Sequence, residues 1–312
     1  MDALAGLLDG PRARNAFLLR AVLAPPWSLR IQDEAPLSLI ALVSGEAWIL
    51  PGDGRSVPLR PGDVAVVRGP EPYVVAGDPG TEPQIIIHPG QRCETPDGRS
   101  LYQEMDLGVR TWGNDPDGGT VMLVGSYHLD GEVSHRLLRA LPALLVLDGQ
   151  DWDGSLIALL AEEIGRDEPG QEVILDRLLD LLLITTLRTW FARPDAGAPA
   201  WYRAQGDPVV GRALRLLHHN PAHPWTIAAL AAATGVSRAT LARRFTELVG
   251  EPPMSFLAGW RLALAADMLR ATDATVGAVA TQVGYGSPFA LSVAFKRVHG
   301  QSPGHYRARF LN

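Results

Sequence analysis

The spacing of hydrophobic positions changes partway along the chain. Up to about residue 147, short apolar stretches alternate with Gly/Pro turns. LSLIALVSGEAWIL, PGDGRSVPL, RPGDVAVVRG, YVVAGD and QIIIHPG read as strands of a few residues each. In GEAWIL and DVAVV the apolar character is nearly continuous, as in strands that line a closed barrel or sandwich. Pro51-Gly52-Asp53-Gly54 lies between two such runs and predicts a hairpin loop. From about Ser134 the period becomes helical. HRLLRALPALLVL, SLIALLAEEI and VILDRLLDLLLITTLRTWF carry Leu, Ile and Val at three- and four-residue steps.

The last of these segments, residues 173–191, has Ile174, Leu178, Leu181, Leu182 and Thr185 on one face, with Leu175, Leu179, Leu183 and Trp190 beside it. A helix apolar on more than one side needs more than one neighbour. The expectation is a homodimer through this helix; full burial within one chain is the alternative. Asp176, Arg177, Asp180 and Arg188 within the segment argue against a membrane span. Residues 193–207, RPDAGAPAWYRAQGD, are rich in Pro, Gly and Ala and predict a linker.

The remainder contains an internal repeat. ATGVSRATLARRFTELVGEPPMSF aligns with QVGYGSPFALSVAFKRVHGQSPGHY once one extra turn residue is allowed in the second copy. Gly235 then matches Gly284. Leu241, Phe245, Gly250, Pro253 and Phe256 match Leu291, Phe295, Gly300, Pro303 and Tyr306. Each copy is a short helix, a Gly-containing turn and a second helix, the helix-turn-helix layout. Thr226 and Thr275 are placed to cap the first helices. Ala229 with Ala232, and Ala278 with Thr281, occupy positions where a second helix crosses closely. Gly235 and Gly284 sit where φ > 0 is favoured, and Val236 and Tyr285 plug the core below the turn. With Leu241/Phe245 and Leu291/Phe295 pointing inward, the outward positions are Arg238, Ala239, Ala242 and Arg243, and Pro288, Phe289, Ser292 and Val293. No G-x-x-x-x-G-K-[ST] is present, so these glycines serve turns and do not cradle phosphates.

Charge strengthens that picture. The 312-residue chain carries a net −6, yet from Gln205 onward eleven Lys/Arg stand against five Asp/Glu, leaving −12 for the rest. A cationic segment with two helix-turn-helix units predicts binding to double-stranded DNA. One cysteine and no signal-peptide pattern at the N-terminus fit a soluble cytoplasmic protein.

These motifs are specific enough to resemble a family. IAALAAATGVSRATLARRF, the Gly250/Pro253 pair, a linking helix with Arg261, Leu262, Ala265 and Leu269 (residues 255–270), and VGYGSPFALSVAFKRVHGQSPGHYR are similar to the DNA-binding domain of the AraC/XylS transcription regulators. The resemblance implies that both second helices enter the major groove about one turn apart. It makes Arg238, Ala239, Ala242, Arg243, Pro288, Phe289 and Ser292 base-contact positions, with Arg243 the strongest because a guanidinium binds guanine O6 and N7 together. Arg244, Lys296, Arg297 and Arg307 become phosphate contacts. Val293 stands where Arg is common in the family. That leaves open whether the second unit meets thymine methyls or mainly docks on backbone.

LVSGEAWIL, VPLRPGDVAVVRGPEPYVV and SHRLLRALPALLVL resemble the cupin-type effector domain of the same family. The expected architecture is α+β: a cupin-like β-barrel sensor over residues 1–148, a helical dimerisation segment over 149–192, the linker at 193–207, and an all-α tandem helix-turn-helix domain over 208–312. A small effector is expected in the barrel beside Trp48, Tyr73 or Ile87. RNA polymerase is the expected functional partner. Many cupins are metalloenzymes, but no His precedes SGEAW, Tyr73 follows RPGD, and His88, His128 and His135 are scattered. Neither a metal, another cofactor nor catalysis is therefore expected. Cys93 beside Arg92 is a redox candidate, with an incidental thiol as the plainer reading. A cupin metalloenzyme with an appended DNA-binding domain and a ligand-independent DNA-binding protein are the competing functions.

Overall fold

A computed structural model describes residues 17–127, 131–193 and 196–310. The described residues pack as two units. One holds residues 17–127 with 141–193, the other residues 131–140 with 197–310.

The first unit is built from two sheets. The seven-stranded sheet has the order β10-β11-β1-β12-β3-β6-β13, with β1 at Phe17–Leu23, β3 at Leu37–Ser44, β6 at Val64–Arg68, β10 at Asp106–Gly108, β11 at Thr111–Gly113, β12 at Thr120–Tyr127 and β13 at Leu144–Leu147. The six-stranded sheet runs β5-β4-β7-β2-β8-β9, with β2 at Ser28–Ile31, β4 at Ala47–Leu50, β5 at Val57–Leu59, β7 at Tyr73–Ala76, β8 at Ile85–His88 and β9 at Arg92–Glu94. Among the described residues the expected β-barrel is an open pair of sheets: β10 and β13, and β5 and β9, are edges, so no ring of ladder hydrogen bonds closes there. Pro51–Gly54 does join the antiparallel pair β4/β5, with Gly52 and Gly54 both at φ +84°.

The core lies between the sheets and includes Ala21, Leu29, Ile40, Leu42, Ile49, Val67, Tyr73, Val75 and Met122. β3 is buried over six consecutive residues because helices cover its other side. Those helices are α2 (Ser155–Glu163) and α3 (Gln171–Ala192), following α1 (Glu132–Ala140), which belongs to the other unit. On α3 the buried stripe is Leu175, Leu179, Leu182, Leu183, Leu187 and Phe191. Ile174 and Leu181, which the periodicity placed on the main apolar face, are exposed instead. The reason is the seat on β12: a Cβ at Gly125 would lie 2.8 Å from the Leu179 side chain, and the buried Tyr127 hydroxyl donates to the Leu179 carbonyl at 3.0 Å. The RPGD turn has a comparable anchor. Buried Asp63 accepts from the Arg60 N–H and the Gly149 N–H, both at 2.8 Å, tying the start of β6 to the turn after β13.

The second unit is all helical. After α4 (Ala200–Arg203) come α5 (Val210–His219), α6 (Ile227–Thr234), α7 (Arg238–Val249), α8 (Pro253–Ala271), α9 (Val276–Gln282), α10 (Pro288–His299) and α11 (Pro303–Ala308). Two separate cores form. Leu214, Leu217, Leu230, Leu241, Phe245, Phe256 and Leu257 make one; Leu262, Ala265, Leu269, Val279, Leu291 and Phe295 make the other. Helix α8 contributes to both. α1 docks on α8, where the Asp267 carboxylate accepts from the Glu132 N–H at 2.7 Å and the Val133 N–H at 3.2 Å. The Arg136 guanidinium lies 5.9 Å from the centre of the Trp260 ring, over the small Gly259. Burial pushes the Asp267 carboxyl above the usual carboxylate range, against the two N–H donors. Among the described residues no helix is long and apolar enough to cross a membrane.

Gly284 has φ +84°, and a Cβ there would sit 2.7 Å from the Ala222 Cα and 2.8 Å from an Arg261 guanidinium nitrogen. Gly284→Ala is expected to lower stability by at least about 2 kcal/mol in chemical denaturation. Gly286→Ala, with open space around it, serves as the near-neutral comparison.

Candidate nucleic-acid interface

The repeat folds as two units with matching caps and turns. Thr226 caps α6 by accepting from the Ala229 N–H at 3.1 Å, and Thr275 caps α9 by accepting from the Ala278 N–H at 3.2 Å. Both first helices end in the same hydrogen-bonded turn. The Val236 N–H donates to the Ala231 carbonyl and the Tyr285 N–H to the Ala280 carbonyl, around Gly235 (φ +75°) and Gly284. Ser237 and Ser287 then cap α7 and α10, each accepting from an N–H three residues on at 3.1 Å. Val236 packs on the first core and Tyr285 on the second. On the first helices Ala229 and Ala278 are half-buried, while the buried small residues are Ala231 and Ala280. Ala232 and Thr281, one position further on, are exposed.

On the second helices, Leu241 and Phe245, and Leu291 and Phe295, are the buried pairs. Arg238, Ala239 and Arg243 on α7, and Pro288, Phe289 and Val293 on α10, are exposed; Ala242 and Ser292 are partly so. These positions occur at equal spacing on two equivalent helices, which is what reading two stretches of one duplex requires. They are not chemically equivalent. Arg243 lies within reach of Glu247, 3.0 and 3.1 Å to its two carboxylate oxygens, an exposed pair one helical turn apart. On α10 the Ser292 hydroxyl donates to the Pro288 carbonyl at 2.8 Å.

The four expected phosphate contacts divide. Lys296 and Arg297 are exposed at the end of α10. Arg244 is instead bound to Asp207 by two nitrogens at 3.0 and 2.6 Å. Asp207 also accepts from the Val209 and Val210 N–H groups, both at 2.9 Å. Partial burial would raise the Asp207 carboxyl, but these N–H donors and Arg244 outweigh it and hold the group below its ordinary value. Arg307 reaches back into the fold, donating to the Leu269 carbonyl at 3.1 Å and to the Ala274 carbonyl. Sequence position identified these cations, but only the folded partners show that two of them fasten helices. Arg261 has a similar task, donating to the Pro221 and His223 carbonyls at 2.7 and 2.8 Å.

The two-sheet unit contains a cavity of about 350 Å³. Tyr73, Ile87 and Cys93 line it, joined by Trp112, Met122 and Val124, which sequence reading did not single out. Trp48 does not line it. Strand alternation sends Ala47 and Ile49 inward and Trp48 to the opposite face of β4. Burial pushes the Tyr73 phenol above its ordinary range, against a hydrogen bond with Ser38. Cys93 is buried in the wall, so an oxidant would have to enter the cavity to reach it. A cupin fold raises the question of metal. His88 is already held by Glu94 at 2.8 Å and Gln32 at 3.1 Å, and His135 is exposed. His128 lies outside the described residues. Among the described residues no three His, Cys, Asp or Glu side chains converge as metal ligands.

Two helix-turn-helix units on one helical body, carried on a chain that also holds a ligand-sized cavity in a two-sheet unit, define a DNA-binding regulator. The cupin family model matches residues 2–192 and a helix-turn-helix domain model matches residues 230–309. A protein of Streptomyces lividans named as an AraC-like transcription regulator is 31% identical over 98% of both chains. Its counterpart from Streptomyces antibioticus is 30% identical, also over 98% of both. The HTH-type transcriptional regulator AlkR of Acinetobacter baylyi is 29% identical over 98% of this chain and 99% of its own. Among solved structures, the DNA-binding domain of AdpA in complex with a target DNA is 35% identical, covering 34% of this chain and 94% of that one, with a TM-score of 0.32. The chain belongs to the AraC-like transcription regulators, with a cupin-type N-terminal domain.

Arg243→Ala is expected to weaken binding to a selected duplex by about 1–3 kcal/mol and to relax preference at one base pair, read by repeating the selection with the variant. Arg244→Ala should do the reverse: lower folding stability in denaturant titration while leaving the recovered sequence unchanged. Because Asp207 is held low, the Asp207–Arg244 contribution is full above the unfolded carboxylate range near pH 4 and is lost as pH falls through the folded value. The acid limb of a stability profile should therefore flatten in the Arg244→Ala chain.

Proposed function

We propose that this protein is a cytoplasmic, homodimeric regulator in which a small, largely apolar effector bound between the sheets changes how the helix-turn-helix pair meets operator DNA, recruiting or blocking RNA polymerase. The observation that carries the effector reading is the cavity. Leu19, Leu29, Ile40, Val75, Ile87 and Met122 form much of its wall, with polar groups such as Asp33, Gln91 and Arg110 also present. Space of that size and lining suits one organic molecule with an apolar body. The relatives named as transcription regulators support action through DNA without catalysis. Location in the cytoplasm follows from the need to reach DNA and polymerase.

Dimerisation is supported by the outer side of α3. Val173, Ile174 and Leu181 are 62%, 46% and 49% exposed, and Leu159 on α2 is exposed as well. Apolar side chains repeating on the solvent side of a long helix suit a second copy of that helix. Coupling between effector and DNA is supported by α1. Along the chain this helix lies between strands β12 and β13, yet it packs in the DNA-binding unit against α8. A shift in those strands would thus pull on a helix docked beside the spacer between the two reading heads.

Uptake of 1-anilinonaphthalene-8-sulfonate by the full chain tests the cavity. Met122→Trp, which fills it, is expected to abolish saturable fluorescence enhancement with folding retained; equal uptake by wild type and variant would refute an effector site there. In sedimentation, Leu181→Arg should shift the chain from dimer toward monomer.

A further inference from the structure

Resting on the DNA-binding reading, we propose that the second helix-turn-helix unit reads sequence through thymine C5-methyl groups, with Phe289 and Val293 as its specificity-determining residues. Phe289 is 78% exposed and Val293 56% exposed, four residues apart on the outward face of α10. They occupy the positions that Ala239 and Arg243 hold on α7, fifty residues earlier in an identically capped helix. An apolar surface held this far into solvent at a reading position has no packing role in its own unit, since the core side of α10 is filled by Leu291 and Phe295.

The outward side chains beside them offer little hydrogen-bonding capacity. Pro288 has neither an N–H nor a polar side chain, and its ring lies 3.6 Å from the position of a Cβ on Gly277. The Ser292 proton is committed to the Pro288 carbonyl, leaving that hydroxyl only as an acceptor. Guanine presents acceptors at N7 and O6, and the side chains of Pro288, Phe289 and Val293 carry no donor to offer them. Thymine alone presents a methyl in the major groove, and aliphatic or aromatic side chains recognise it. Lys296 and Arg297, exposed at the far end of the helix, supply the cationic flank that holds such a face against a duplex. The two units therefore divide the reading: guanidinium to purine acceptors at α7, apolar surface to methyls at α10.

The test uses the full-length chain and a duplex recovered with it from randomised oligonucleotides. Each thymine is replaced singly by deoxyuridine, which removes only the C5-methyl, and affinity is read by fluorescence anisotropy. One or two thymines, about one helical turn from the base pairs sensitive to Arg243→Ala, should each weaken binding about fourfold when demethylated. Phe289→Ala and Val293→Ala chains should still bind but lose that sensitivity. Uracil tolerance at every thymine, or unchanged sensitivity in the double variant, overturns the proposal while leaving DNA binding intact. So does loss of reporter transcription by Phe289→Ala with duplex affinity and methyl dependence unchanged, which would assign the face to a protein partner. Failure to recover any duplex would overturn the DNA-binding reading as well.

Discussion

One helix has to satisfy two cores at once. Helix α8 buries Phe256 and Leu257 in the first helix-turn-helix core and Leu262, Ala265, Ala266 and Leu269 in the second. Its 19 residues span about 28 Å as a rigid rod. The second helices α7 and α10 are each fixed to one of those cores, so the spacing between them follows from the length of α8. Pro253 at its start sets φ for helix entry and removes an N–H that would have had no partner. The back of the same helix is small at Gly259, where Arg136 of α1 crosses it. Both cores and the contact with α1 thus converge on a single rod.

The interface is dressed for that rod by two kinds of arginine. Arg243 projects from α7 and is paired with Glu247 on its own helix, an exposed pair whose stabilisation is small. Arg244, Arg261 and Arg307 each bind backbone carbonyls or a carboxylate on a distant stretch of the chain, Asp207, Pro221 with His223, and Leu269, and so act as fasteners. Neighbours in sequence, Arg243 and Arg244, thus take opposite roles because a helix turns them about 100° apart.

The sheet unit has its own asymmetry. Helices α2 and α3 cover the seven-stranded sheet from outside, which lets β3 be apolar on both faces and leaves the inner face to bound a cavity. Tyr127 ties its hydroxyl to the α3 backbone, so the helix that offers exposed Ile174 and Leu181 is registered to strand β12. The same chain reaches α1 a few residues after that tyrosine.

The tandem helix-turn-helix was legible from residue types alone. Caps, turn glycines and i, i+4 core pairs are local requirements, and Thr226, Gly235, Leu241, Phe245 and their second-copy partners satisfy them through backbone geometry that any such turn demands. The short strands and the Pro51–Gly54 hairpin were legible for the same reason. What depended on distant partners was not. Whether the sheets close, that Trp48 faces away from the cavity and Trp112 toward it, that α1 leaves its neighbouring strands for α8, and that Arg244 and Arg307 fasten while Lys296 projects were decided by tertiary packing. A side chain's period says which face it is on, but burial and hydrogen bonding depend on what the rest of the chain brings to that face.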